Sequence, residues 1–264
     1  MTRAAGTMLP AGTFADRVAV VTGGGSGIGE AIARALAHLG ATVVLVGRTP
    51  EKLEAVRASI VADGGVAIAH PLDVRDRAAV EQMVEDVVAQ HGKIDHLVNS
   101  AAGNFRSAPQ DLSPNAWASV TGIVLDGTWH CTQTVGRHLI ARGSGGSVLN
   151  IGSNMANQGG PDTVHSASAK AGVVTMTKSL AAAWGQHGIR LNVLVPGFTE
   201  DTAGVDILFA TPQARERSLA SVPLGRPVLK TEVANAACYL LSDYAGYITG
   251  VQLLIDGGKA LGRA

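Results

Sequence analysis

Short aliphatic runs recur along the chain, separated by longer polar or amphipathic stretches. VAVVTG starts at Val18, ATVVLVG at Ala41, VAIAHPLD at Val66 and HLVN at His96. SVLNIGS follows at Ser147, RLNVLVPG at Arg190 and VQLLIDGG at Val251. These runs are too short for buried helices and rich in branched Val and Ile, which suit a pleated surface, so they predict seven strands. Between them apolar residues recur at threes and fours, as at Ile32, Leu36 and Leu39, the period of a helix face. Pro50 and the Ser113–Pro114 pair open further helices, since proline's fixed φ suits a first helical turn. VHSASAKAG, Val164 to Gly172, reads as the start of a long helix. Strand–helix alternation of this kind predicts an α/β fold with a doubly wound, seven-stranded parallel sheet and right-handed crossovers. No linker, repeat or low-complexity block interrupts it, so a single domain over residues 16–264 is expected. The preceding MTRAAGTMLPAGTFA, residues 1–15, has no apolar stretch long enough for a signal peptide and reads as a flexible tail.

Composition narrows the function. Of 264 residues, 46% are hydrophobic, 33 are glycine and only 4% are aromatic, as expected of a tightly packed parallel sheet. Lys plus Arg and Asp plus Glu balance at 21 each, so neither a basic surface for nucleic acid nor an acidic tail is implied. No segment approaches the ~18 apolar residues of a membrane span. Cys131 and Cys238 lie far apart with no ligand-like neighbours, which suggests reduced thiols, no metal site and a cytoplasmic location.

The first strand runs into TGGGSGIGEAIARAL, with glycines at Gly23, Gly27 and Gly29. Small residues let backbone approach a pyrophosphate, and a helix starting near Gly27 aims its positive end at that charge. Glycines also make plain turns, but here they follow a strand and open a helix, the context of a nucleotide site. At the tip of the second strand stand Gly47 and Arg48 rather than an acid. A carboxylate would repel a ribose 2′-phosphate and a guanidinium can grip it, so NADP(H) is the expected cofactor. Asp73 ends the third strand, where it can accept from an adenine amino group.

Together with this loop, DVRD at Asp73, NSAAG at Asn99, Ser153, Lys170, RLNVLVPG and the DGG at Asp256 make residues 15 to 258 resemble the short-chain dehydrogenase/reductase family. The resemblance implies a Rossmann-like fold, hydride transfer from a nicotinamide and a homotetramer. It also implies cofactor contacts at Gly23, Ser26, Gly27, Ile28, Gly29, Arg48, Asp73, Val74, Asn99, Ala101, Lys170, Pro196, Gly197 and Thr199. NSAAGNF (Asn99 to Phe105), DLSPNAW (Asp111 to Trp117), IVLDGT (Ile123 to Thr128) and HSASAKAG resemble more narrowly the 2,4-dienoyl-CoA reductases. That subgroup implies NADPH-dependent reduction of a conjugated acyl-CoA. In it Asn104 would hold the thioester oxygen, Arg75, Phe105 and Ser113 would contact substrate, and Lys170 and Ser153 would act beside them. The family's tyrosine four residues before the lysine is Ser166 here, as in the subgroup. A tyrosine that some members place two residues after Ser153 is Met155, and the relay asparagine of the wider family falls on Val124. Other members use a carboxylate near residues 122 to 126. Asp126, one helical turn from Gly122, is the candidate on that face.

The chemistry tolerates a missing phenol. Ketone reduction makes a basic alkoxide that needs an acid within reach, whereas reduction of a conjugated thioester spreads charge onto the thioester oxygen. That oxyanion needs fixed donors, and the Asn104 amide donates without changing charge. Lys170 would hold the nicotinamide ribose and Ser153 orient substrate. On the residues alone, Ser153, Asn104 and Asp126 also suit turn or solvent roles, and His165 suits either a general acid or a structural histidine. The long loop after the sixth strand offers Val205, Ile207, Leu208 and Phe209 to an acyl chain and Arg215 and Arg217 to CoA phosphates. Two other readings stay open: a carbonyl or alcohol oxidoreductase of the same family, and an NADP(H)-binding scaffold without catalysis, motivated by Met155, Val124 and Ser166.

Overall fold

The computed structural model describes residues 8–202, 205 and 211–262. Seven parallel strands stand in the order β3-β2-β1-β4-β5-β6-β7. They are β1 (Val18–Thr22), β2 (Thr42–Gly47), β3 (Val66–Pro71), β4 (His96–Asn99), β5 (Gly146–Ile151), β6 (Ile189–Pro196) and β7 (Gln252–Ile255). Among the described residues the helices are α1 (Gly27–His38), α2 (Pro50–Ala62), α3 (Arg77–His91), α4 (Pro114–Thr121), α5 (Gly127–Arg142), the short α6 (Met155–Gln158), α7 (Val164–Trp184), α8 (Pro212–Ala220) and α9 (Lys230–Leu241). All seven strands fall where the aliphatic runs predict them, and α2, α4 and α7 open at Pro50, Pro114 and Val164.

Alternate residues of each strand enter opposite cores, because strand side chains alternate between faces. On one side Ala19, Val21, Val43 and Leu45 pack with Ile32 and Leu36 of α1 and Val233 and Ala237 of α9. On the other, Val18, Val20, Val44 and Val46 meet Val80 and Met83 of α3 and Cys131, Val135 and Leu139 of α5. Burial on both faces explains why the strands read as continuous apolar runs. Both cysteines are free and buried, one in each core, and burial pushes their thiols up to about 12.

The expected flexible tail over residues 1–15 is shorter than that. Leu9 is buried and Phe14 fully so, with its ring edge-on to His96 at a centroid distance of 5.3 Å. The packed part of the chain therefore begins before residue 16.

Below the sheet, Asp95 is buried and its carboxylate accepts from the Val18 N–H at 2.8 Å and from Arg142 at 2.9 Å. Burial opposes its charge, but these donors prevail and hold the carboxyl below its usual range. Removing one partner of a buried charge pair costs about 3–5 kcal/mol. Asp95→Ala should destabilise the fold by about that much in urea melts at pH 7. The depressed carboxyl stabilises the fold above its unfolded value near 4, and that contribution is lost as pH falls through its folded value. His96 adds to the acid sensitivity: burial lowers it to about 3. Below about 6.5 the unfolded chain takes up a proton that the folded chain refuses, so stability falls from there towards pH 3.

Candidate active site

The strand order reverses direction between β1 and β4, which leaves a crevice beyond their carboxyl ends. There a cleft of about 440 Å³ is lined by Gly23, Ser26 to Gly29, Arg48, Asp73, Val74, Ala101, Lys170 and Pro196. A larger surface concavity of about 720 Å³ lies between α1, α2 and α9. Its wall mixes alanines with charged and polar side chains, and its Arg34 is already engaged by Glu30 and Ser59. Of the glycine turn only Gly27 borders it.

The loop between β1 and α1 is closed by contacts only glycine permits. A Cβ on Gly29 would sit 2.3 Å from the Gly23 carbonyl oxygen, and Gly23 itself has φ +68°. Ser26 caps α1 without a side-chain hydrogen bond, so its hydroxyl and the helix's first N–H groups remain for an anion. Thr22 Oγ1 accepts from the N–H groups of Ser100 and Ala101 at 3.1 Å each, which locks the tips of β1 and β4 together.

At the tip of β2, Arg48 and, on the first turn of α2, Lys52 line the same cleft. Lys52 and the neighbouring Thr49 were not singled out from the sequence. A signal was available, since Lys52 is a second cation four residues beyond Arg48 at the same strand tip, although Glu51 stands between them. Asp73 is gripped by its neighbour: Arg75 Nη2 donates to Oδ2 at 2.6 Å and Nε to Oδ1 at 3.1 Å. That bond, helped by the field of Arg48, holds the carboxyl below its usual range.

Four expected contacts sit differently. Asn99 is buried behind the cleft, where its amide donates to Thr132 Oγ1 at 2.9 Å and Asn150 Oδ1 at 2.8 Å. It ties β4 to β5 and α5, and Ser100 to Ala102 line the cleft instead. Thr199 is buried and donates to the Gly197 carbonyl, whereas Thr202 reaches the cleft. Gly197 packs against Asp256, whose Cα would lie 2.8 Å from an added Cβ. Ser113 is exposed and its hydroxyl caps α4 by accepting from the Ala116 N–H.

Lys170 lies on α7, buried, and its ammonium donates to the Ile151 carbonyl at the end of β5. Burial pushes it down to about 8. Ser166, one turn earlier, is also buried. Ser153 follows β5 and accepts from the Met155 N–H at 3.3 Å. The Met155 sulfur accepts from Thr163 Oγ1 at 3.2 Å, so this side chain has no proton to give and is already engaged. Asn104 is half-buried, and its Oδ1 accepts from the Phe105 N–H at 2.9 Å, which leaves the amide NH₂ facing the other way. Phe105 packs against Val120, Val124 and Ala169, so the position of the family's relay asparagine is part of an apolar cluster.

Asp126 does not share a face with Gly122. Gly122–Asp126 is a π-turn, with the Gly127 N–H donating to the Gly122 carbonyl. An i→i+5 turn inserts one residue, so Gly127 rather than Asp126 lies above Gly122. Gly122 and Gly127 face Arg75 and Val74, and Asp126 is exposed outside the cleft. The loop residues Ile207, Leu208 and Phe209 lie outside the described residues; Val205 is buried, and Arg215 and Arg217 stand on α8.

His165 has no exposed surface, and neither ring nitrogen has a hydrogen-bond partner. Burial lowers its proton affinity, opposed by the nearby Phe105 backbone. A buried unsatisfied polar group costs about 1–3 kcal/mol. Among the described residues no three His, Cys, Asp or Glu side chains gather as a metal site, and no helix is long and apolar enough to cross a membrane.

A glycine-turn cleft at the switch point, with a buried lysine on the helix beside it, is the site architecture of a nicotinamide-dependent oxidoreductase on a doubly wound sheet. A family model described as Enoyl-(Acyl carrier protein) reductase matches residues 23–260. The chain belongs to the short-chain dehydrogenase/reductase family and is an oxidoreductase of that family. It is 42% identical over 246 residues to a protein of Bacillus subtilis (strain 168) named as a probable 2,4-dienoyl-CoA reductase that produces a (2E)-enoyl-CoA, covering 93% of this chain and 97% of that one. It is 37% identical over 245 residues to the peroxisomal 2,4-dienoyl-CoA reductase of Rattus norvegicus, named as producing a (3E)-enoyl-CoA, covering 92% and 84%. Among solved structures, a short chain dehydrogenase from Bacillus anthracis superposes with a TM-score of 0.85 at 42% identity, covering 92% and 96%. A gluconate 5-dehydrogenase from Burkholderia cenocepacia in complex with NADP and tartrate superposes with a TM-score of 0.89 at 32% identity, covering 94% and 96%.

Proposed function

We propose that this protein is an NADPH-dependent reductase of 2,4-dienoyl-CoA thioesters. The observation that carries the reading is the pairing of Asn104, whose free amide NH₂ is fixed by its own carbonyl's bond to Phe105, with a helix that keeps Lys170 and lacks any phenol. The relatives named above as dienoyl-CoA reductases support it. The cleft fits the cofactor: the Gly23–Gly29 approach leaves backbone within reach of a pyrophosphate, and the uncapped Ser26 hydroxyl and α1 N-terminus can receive it.

A bound reduced nicotinamide would supply the hydride. Lys170, buried on α7 beside the cleft, would hold the nicotinamide ribose. Asn104 donates to the thioester oxygen as charge accumulates there, an interaction stronger in the transition state than before it. Ser153 orients the thioester beside Lys170. The α-carbon takes its proton from a water near the Lys170 ammonium, since neither Met155 nor Val124 can provide one. Asp73 receives the adenine amino group, and Arg75 meets CoA from the same strand end. Arg48 and Lys52 read the 2′-phosphate. The apolar edge at β7, where Val251 and Leu254 each keep 38% exposure, suits a second copy in the homotetramer proposed here.

Purified protein mixed with NADPH and 2,4-hexadienoyl-CoA should consume both, with product double-bond position read by NMR. No turnover at any pH from 6 to 9 would overturn the reading, and ketone turnover alone would select a carbonyl reductase. The cofactor half has its own measurement. Arg48→Ala and Lys52→Ala should each weaken NADPH about tenfold and leave NADH within about twofold, since a charge-assisted contact to phosphate is lost in only one case. Fluorescence titration at fixed ionic strength checks this, and equal losses for both cofactors would refute the assignment.

A further inference from the structure

The candidate site is assembled from two distant segments that are clasped to each other. One is the loop after β4, which carries Asn104. The other is the approach to α7 and its first turns, which carry Ser166 and Lys170. Three contacts join them. The Phe105 ring lies over the His165 imidazole, with centroids 4.5 Å apart and planes inclined by 32°. Arg106 Nη1 pairs with Asp162 Oδ2 at 3.0 Å, and the Ser107 N–H donates to the Asp162 carbonyl at 2.9 Å. Arg106 and Asp162 are each about half exposed, 50% and 49%, so solvent screens that pair. The ring contact is the buried member, with His165 fully enclosed.

The same ring touches the rest of the site. Phe105 packs on Ala169, which is one turn from His165 along α7, and on Val120 and Val124 of the facing helical segment. Its backbone N–H holds Asn104 Oδ1, so the residue that carries the ring also anchors the carboxamide. We infer that His165 is a positioning residue: acting through Phe105, its ring fixes the direction in which the Asn104 amide points relative to the catalytic helix. This rests on the reading of Asn104 as the donor to the thioester oxygen. The imidazole works here as a flat, compact surface. It is enclosed and touches no reacting atom, so it is not itself the acid.

Steady-state kinetics of His165→Ala and His165→Phe test the inference. His165→Ala should lower kcat about tenfold or more, because small misplacements of a catalytic group are costly, with NADPH affinity within about twofold of wild type. His165→Phe keeps the ring contact, removes both unpartnered nitrogens and should restore most of kcat while melting at a higher temperature than wild type. Unchanged kcat in His165→Ala overturns the inference. So does a His165→Phe variant as slow as His165→Ala, which would make the nitrogens the working part. If His165→Ala does not fold, His165→Leu replaces it, retaining bulk without the flat ring. A wild-type protein without thioester turnover counts against the reductase reading alone. The clasp is then judged by a denaturation double-mutant cycle between Phe105→Ala and His165→Ala: non-additive losses support it and additive losses overturn it.

Discussion

Lys170→Met is expected to lower turnover by about a hundredfold or more and to weaken NADPH binding, yet to raise the melting temperature of the ligand-free protein. The ammonium is buried against a single carbonyl, Ile151, and burial lowers it from 10.5 to about 8. The folded pKa lies below the unfolded value near 10.4, so between those values the unfolded chain holds more protons and stability rises with pH. Below about 8 the fold carries the full cost of a buried cation. Methionine fills the same channel without it. The melting gap between variant and wild type should therefore be widest near pH 7 and close towards pH 10. Wild-type turnover should decline as pH rises past about 8, when the ammonium loses its charge. Thermal melts and NADPH titrations across that range are the check, and NADPH affinity unmoved by the substitution would remove the lysine from the ribose.

Asn104→Ala should reduce kcat about a hundred- to a thousandfold, the loss seen when one preorganised oxyanion donor is removed, with NADPH affinity nearly intact. The side chain's oxygen is occupied by the Phe105 N–H, so the truncation deletes a donor and frees a backbone amide on a half-buried loop. Asn104→Asp should be slower still, because it sets an anion where charge must develop. Single-turnover hydride transfer, followed by loss of NADPH absorbance, separates this step from binding. A parallel fall in NADPH affinity would instead make Asn104 a residue that shapes the loop.

The fold was legible because its strands are enclosed on both faces: a run such as Val43 to Val46 has no polar face to interrupt it. Pro50 and Pro114 marked helix starts that the structure reproduces to the residue. The glycine turn and Lys170 were legible because close backbone approach and a buried cation restrict residue choice severely. What escaped depends on tertiary partners. Asn99 and Thr199 belong to the motif, but their side chains satisfy Thr132, Asn150 and a carbonyl rather than the cleft. Asp126 was placed by α-helical spacing, and one extra residue in the π-turn rotates it to solvent. Lys52 is a surface lysine by pattern and enters the cleft only because α2 starts directly beneath the glycine loop.

Phe14 bears on how this chain tolerates shortening. Its ring closes the floor beneath β4, against an imidazole kept neutral by enclosure, and the Phe14 N–H donates to the Leu39 carbonyl at 2.9 Å. A version trimmed to start at Asp16, as a flexible tail over residues 1–15 would invite, would open that floor to water and let His96 titrate in the physiological range. The harm would surface as lost stability near neutral pH at the end of the sheet opposite the chemistry, with the acid sensitivity set by the enclosed imidazole relieved, and would be mistaken for a defect of the catalytic cleft.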